Sequence, residues 1–489
     1  MQIPTVRRLL RIALPRCAFG LALAATAVAL IWAIENHYAR KAWLEYVAGQ
    51  ARAGGRLDYR EFIPPPAPEE ENFFCAPFFG LFGGREGQPT AGKIFRFPNN
   101  TKGRSIPGGH PSAATLGLLP AWRQYFLETG ALDSGGDHVG RDVLRALDKI
   151  HNPAWALLIE AVARPKSRIP AKWDAGGSQA IFDERSSDVL LPASGMHRLR
   201  LIAHLACGDG PAAAREALGI LRLGEVLHGE PTLLCAMLRA MLVANGSYAI
   251  RSGLHSGLWG EEELLALEEQ LKRVDVLADY AFGMESEKAW MVDYLDNAYK
   301  ERLDFFKPRR NYGGGERLMP AFAYDRSKVL LCRQIDKEIL SLHVAGGSQK
   351  SPMAEPYAHL RWRPWNRIRY FYYFLATYML AGDHVVALDV QTVTNQARIA
   401  CALARWHIRE GAYPAGLESL VPAYLGAMPL DPRTGETFGF RQTDDGKYLL
   451  LSTAAAVRIP DGLGAEVLRA GMRDGTVKMD GVWHYLSKD

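Results

Sequence analysis

Cys17 to Ile34 form eighteen consecutive uncharged and mostly apolar positions. A helix of that length rises about 27 Å, close to the ~30 Å hydrocarbon core of a bilayer. Residues 36–53 then read as a helical stalk, and Pro64, Pro65, Pro66 and Pro68 with Glu69, Glu70 and Glu71 make a stiff polar linker. From Asn72 to Gly109 the chain is rich in glycine and aromatics and holds no sustained period. Helical patterns dominate from Ser112 to Lys300, near 112–129, 139–163, 188–206, 211–228, 231–252 and 261–300. Gly208-Asp209-Gly210-Pro211 and Glu230-Pro231 open successive helices. Short connections between them predict antiparallel packing in a bundle or short solenoid, without a fixed repeat. Residues 301–355 form a second loop-rich region. Tyr370 to Ala381, an aromatic run of about twelve residues, is too short to span a bilayer and predicts a buried core helix.

The segment Asn395 to Thr453 changes period three times. Val393, Ala397, Ala400, Ala404 and Ile408 recur at helical spacing, while Arg398, Arg405 and Arg409 fall on another face. Gly411 stops that helix, and Tyr413-Pro414 prevents its continuation. Leu417, Leu420, Val421, Tyr424 and Leu425 predict a second short amphipathic helix. Pro429 and Pro432 bracket a turn at Asp431. Phe438 and Phe440, the turn signal Asp444-Asp445-Gly446 and the run Tyr448 to Leu451 predict a β-hairpin.

Charge refines the first element. Arg7, Arg8, Arg11 and Arg16 precede the apolar run with no acidic residue among the first sixteen, so the positive-inside bias puts the N-terminus in the cytoplasm. The run ends Ile31-Trp32-Ala33-Ile34 rather than in small residues, which favours an uncleaved anchor over a signal peptide. The net charge of +5 includes those four arginines, leaving a near-neutral remainder with no electrostatic case for nucleic acid. Of six cysteines, Cys17 lies in the run, Cys75 in a loop-like stretch, and Cys207, Cys235, Cys332 and Cys401 in apolar helical surroundings. That scatter predicts buried thiols rather than a disulfide framework. Arg361, Arg363, Arg367 and Arg369 with Trp362 and Trp365 can lie on a membrane surface, hold an anion, or stack on aromatics at a domain edge.

Candidate chemistry is thin. Gly87-Gln-Pro-Thr-Ala-Gly92-Lys93 fits a phosphate loop up to Ile94, which stands where magnesium needs a hydroxyl, and a strand-like run follows where a helix is required. His197, His204 and Cys207 share helical offsets without a second metal motif and read as structural. Glu285, Glu287, Asp293 and Asp296 read as a solvated or salt-bridged helical face rather than a glycosidase pair. Asp133, Asp137 and Asp142 lack EF-hand order, His255-Ser256 are neighbours in sequence only, and no serine sits in a nucleophile elbow. No catalytic, cofactor-binding or metal-ligating residue is assigned.

The tail nevertheless resembles a known setting. Gly411, Tyr413, Pro414, Leu417, Leu420, Val421, Pro422, Pro429, Asp431, Pro432, Gly435, Phe438, Phe440, Arg441, Asp445, Gly446, Tyr448 and Ser452 carry a pattern similar to the end of a group of uncharacterised single-pass bacterial membrane proteins. Pro64 to Phe79 and Asp480-Gly481-Val482-Trp483 resemble further parts of that group. More distantly, the tail is similar to the globular part of type II secretion major pseudopilins. It departs from them where Ser452 is followed by Thr453-Ala454-Ala455, which leaves only Asp461 of a calcium loop, and in lacking a prepilin processing site.

The chain is therefore expected to be mainly α: an N-terminal transmembrane helix, an irregular segment, a multi-helix bundle or short solenoid, and a small C-terminal α+β module with a β-hairpin. The expected stretches are a cytoplasmic basic segment at 1–16, an anchor at 17–34, and a stalk and linker at 35–71. A helical extracytoplasmic body follows at 72–394, then a pseudopilin-like module at 395–489. The resemblance implies a bacterial inner-membrane protein whose bulk is periplasmic, touching lipid through residues 17–34 and an envelope protein elsewhere. Interaction or scaffolding is the expected role, rather than catalysis. An envelope hydrolase acting on glycan or peptide, and an accessory part of a secretion or pilus-type machine, are the alternatives.

Overall fold

A computed structural model describes residues 3–81, 95, 97, 106–107, 111–151, 153–170, 184–301, 319–342, 352–353, 360, 362–380, 383–444, 446–452 and 482–484. The phosphate-loop match at 87–94, Arg361, Asp445, Thr453 to Ala455, Asp461 and Asp480-Gly481 lie outside them. The chain is mainly helical. Its helices are α1 (Ile3–Ala53), α2 (Leu119–Glu128), α3 (Val139–His151), α4 (Ala154–Val162), α5 (Glu184–Ala206), α6 (Gly210–Glu225) and α7 (Leu233–Ser256). They continue with α8 (Glu261–Lys272), α9 (Val276–Glu301), α10 (Ala321–Leu342), α11 (Pro364–Arg369), α12 (Phe371–Leu380) and α13 (Asp383–Glu410). Two compact units are formed. The first takes Met1–Glu61, Glu287–Glu338 and Ser351–Ala381; the second takes Phe62–Ser286, Ile339–Lys350 and Gly382–Asp489.

The second unit has one continuous core. Trp122, Phe126, Leu147, Leu199, Ile220, Leu242 and Leu267 from α2, α3, α5, α6, α7 and α8 share it with Ile399 and Leu403 of α13 and with Leu420, Phe438 and Tyr448 beyond. The described part of the tail, 395–444, 446–452 and 482–484, is thus packed on the helices within this unit. Gly411 ends α13 as the sequence predicts, at φ 76°, a conformation where a Cβ would be strained. On the arginine face, Arg405 is buried and bonds Glu268 of α8 at 3.2 Å, while Arg409 pairs with Glu261. The expected helix over 417–425 is a single 3-10 turn, Leu417–Leu420, followed by turns around Pro422, although Leu417, Leu420 and Leu425 are buried as the spacing requires.

The hairpin forms as β1 (Gly439–Gln442) and β2 (Tyr448–Leu451), antiparallel with Phe440 opposite Leu450; β3 (Val482–His484) pairs with the other edge of β2. Asp431 explains the spacing between the proline turn and Ser452. Its buried carboxylate accepts the Ser452 hydroxyl at 2.6 Å and the Arg433 N–H at 3.0 Å, tying the turn to the end of β2.

Among the described residues, two helices are long and apolar enough to cross a membrane, α1 and α7. In α7, 67% of the apolar window is buried, as in the core helix of a globular unit. In α1 none of it is. The predicted breaks elsewhere are denser than the sequence suggests: 139–163 splits before Ala154, and 261–300 splits after Lys272. Two of the described helices were not expected, α10, which lies within the stretch read as loop-rich, and the short α11.

Candidate functional site

The side chains of α1 are exposed from Arg16 to Ile34, and its burial begins at Glu35. From there Ala39, Trp43 and Tyr46 are buried at helical spacing, so the helix changes surroundings without a break. The expected stalk is in fact a packed element of the first unit. Trp43 and Tyr46 meet Val292 of α9 and Val329 and Cys332 of α10, while Ala39 meets Phe322 and Ala323.

A ladder of ion pairs runs up this seam. Glu35 receives both prongs of the Arg369 guanidinium, Nη2 to Oε1 at 2.5 Å and Nε to Oε2 at 3.1 Å, and Arg326 adds a bond at 3.3 Å. The two-pronged geometry fixes orientation as well as distance. Higher up, Lys328 is 2% exposed, donates to Asp296 at 2.7 Å and Asp325 at 2.9 Å, and lies 4.4 Å from the Trp43 ring centroid. Asp325 also faces Arg40 at 3.9 Å. At the top, Asp336 accepts from the Tyr46 hydroxyl and Lys288 at 2.8 Å each and from Gln50 at 3.0 Å. Burial, with Cys332 and Asp336 alongside, pushes the Tyr46 phenol above its ordinary range, so it stays a donor. Burial likewise raises the Cys332 thiol to about 12. Desolvating so many charges is costly unless each is paired, and here they are. The arrangement fixes an exposed apolar helix rigidly to a folded unit.

The residues singled out in the sequence disperse. Asp296 belongs to the ladder, whereas Asp293 accepts from Asn297 at 2.9 Å, and burial raises Glu287 to about 7. His197 and His204 do converge, on Glu216 of α6. His197 Nδ1 lies 2.6 Å from one carboxylate oxygen, Arg200 bonds the other at 3.1 Å, and His204 stands 4.0 Å away. Burial alone would raise Glu216, but the hydrogen bond and charge of His197, with Arg200, hold it below the usual range. Gly219 admits the imidazole: a Cβ there would lie 2.3 Å from its Cε1. Cys207 turns instead towards His138, 3.7 Å off. Asp142 is buried by Arg123 at 2.7 Å and by Arg145, whereas Asp133 pairs with Lys149. Among the described residues no group of three or more His, Cys, Asp or Glu is disposed to hold a metal.

Two further groups in the second unit are strongly displaced by burial. The Glu230 carboxyl, 3% exposed, accepts the Ile169 N–H at 3.1 Å and is pushed up to about 7. His151, 2% exposed beside Phe95 and Phe97, is pushed down to about 4.

Glu35, Arg326 and Asp336 were not singled out in the sequence; Arg369 was, but within an arginine and tryptophan cluster rather than as the partner of Glu35. Their signal was faint: Phe322, Val329, Cys332 and Ile335 recur at helical spacing between glycine-rich flanks. No family model, curated protein or solved structure matches the chain.

Proposed function

We propose that this protein is a single-pass, membrane-anchored component of a bacterial cell envelope. Its bulk lies outside the cytoplasm and acts by binding other envelope proteins. The observation that carries this reading is the change along α1, from wholly exposed apolar side chains at 17–34 to a buried, ion-paired stripe from Glu35 onward. A cleaved leader has no need of such coupling to the mature fold. An anchor that must hold a body at a set height and orientation does. The tail's resemblance to pseudopilins gives the envelope setting.

The test has two arms on the full chain expressed in a Gram-negative host. Membranes are extracted at alkaline pH, and periplasmic protease is applied to intact spheroplasts. Retention in the pellet with digestion of the bulk is expected; release of a shortened chain into the soluble fraction would overturn the anchor. Chemical crosslinking followed by affinity purification should then recover a defined envelope protein. Recovery of pseudopilins that depends on residues 395–489 would move the reading to a secretion accessory. Turnover of envelope glycan or peptide by the purified chain would replace binding with hydrolysis.

A further inference from the structure

The short helix α11 lies beside the point where α1 loses its exposure. Arg369, its last residue, grips Glu35. One turn earlier, Trp365 meets Phe322 with ring centroids 5.7 Å apart, and Phe322 meets Trp32 at 6.5 Å. Arg369 thus stands at the level of Glu35, and Trp365 reaches, through one ring, the level of Trp32 inside the apolar run. The direction from Arg369 back to Trp365 therefore leads towards the bilayer of the proposed anchor. Along it the helix shows a wet-facing set of aromatic and aliphatic groups: Trp362 is 70% exposed, Ile368 39% and Trp365 38%. Arg363 and Arg367 are exposed beside them.

Tryptophan and arginine together suit the layer where lipid headgroups meet acyl chains. The indole buries its ring while keeping its N–H in water, and guanidinium pairs with phosphate. We propose that α11, with Trp362 before it, seats in the headgroup layer of the same bilayer that α1 crosses, and that Arg363 and Arg367 bind anionic phospholipid there. This rests on the anchor reading. It adds a second foothold that fixes the tilt and rotation of the first unit about α1, which a lone spanning helix leaves open.

The test uses the full chain in proteoliposomes, with Cys17→Ser, Cys75→Ser and Cys207→Ser as background. Single cysteines are placed by Leu23→Cys, Leu44→Cys, Trp362→Cys or Ile368→Cys and labelled with a polarity-sensitive fluorophore. Vesicles of phosphatidylcholine, with or without phosphatidylglycerol, carry spin labels either near the headgroup or deep in the chains. Positions 362 and 368 should be quenched by the shallow label at least about twofold more than position 44, and position 23 by the deep label. Phosphatidylglycerol should strengthen the shallow quenching. Arg363→Gln and Arg367→Gln should each lower the seated-to-lifted ratio by about fivefold in its presence. Deep quenching at 23 with positions 362 and 368 no different from 44 would overturn the seat while leaving the anchor intact. Loss of quenching at 23 would overturn the anchor itself. Seating that ignores phosphatidylglycerol would overturn the anionic-lipid part.

Discussion

Replacing Glu230 with glutamine should change how stability depends on pH, and the sign follows from two opposed buried groups. Glu230 has a folded pKa of about 7 against an ordinary 4.5. Its contribution is fully present below the ordinary value and is lost as pH rises through the folded one, about 3 kcal/mol in all. His151 has a folded pKa of about 4 against an ordinary 6.5. Its contribution is present above the ordinary value and is lost as pH falls through the folded one, again about 3 kcal/mol. Across most of the window between them the two slopes oppose each other, so the wild-type chain should show a nearly flat profile from these groups. Glu230→Gln removes one slope. The amide still accepts from Ile169, and any cost of its new N–H group is the same at every pH. The difference in stability between variant and wild type should therefore move in the variant's favour by about 3 kcal/mol from pH ~4.5 to ~8, or roughly 3 °C in Tm for a chain of this length. Thermal unfolding in detergent, followed by far-UV circular dichroism across that range, reads the effect. A difference that does not vary with pH would refute the reasoning, as would one that moves against the variant as pH rises.

Three other outcomes follow from the same packing. Gly219→Ala puts a methyl group into the His197 ring, which Glu216 and Trp155 (4.5 Å between ring centroids) hold in place, so a loss of about 1–3 kcal/mol is expected by denaturant melting; an unchanged midpoint would show that the ring moves freely. Glu35→Gln leaves Arg326 and Arg369 facing each other with little screening. It should cost about 2 kcal/mol and speed proteolysis within residues 319–380, whereas Glu418→Gln on the exposed surface should not. Cys332, wholly buried and raised to about 12, should resist maleimide at neutral pH in the folded chain and react only after denaturation, while Cys17 reacts in detergent; rapid labelling at Cys332 under native conditions would contradict the packing of α1 on α10.

What could be read in the sequence was what is encoded by neighbours. The apolar run, the stop at Gly411 and the hairpin each depend on residues within one or two turns, and each appears in the fold. The 417–425 helix had the right faces but the wrong geometry, because Pro422 lacks the N–H that a regular helix needs there. The helix α10 was hidden by glycines on both sides and by charges that a local reading assigns to solvent. Arg326, Lys328 and Asp336 look like a loop's polar residues until α1 is laid against them. Tyr46 and Asp336 are 290 positions apart, and no periodicity links them. For the same reason Glu35 fell at the start of the expected stalk, with no sign that it is the centre of a clamp. The carboxylates Asp293 and Asp296 were legible as a helical face, but which lysine neutralises Asp296 was not.

The first unit is assembled from three separated stretches of chain, and this sets an order of events during synthesis. Glu35 emerges early, yet Arg326 and Arg369 follow about three hundred residues later. At ordinary elongation rates that interval is roughly 15–60 s. Through it the carboxylate waits at the end of the apolar run with its partners still unmade, while most of the second unit's chain passes by. The apolar stretch of α1 is therefore made before the structure that grips Glu35 exists. A truncation between Glu35 and Arg326 would leave the carboxylate with neither guanidinium partner, an open socket that quality-control proteases can recognise.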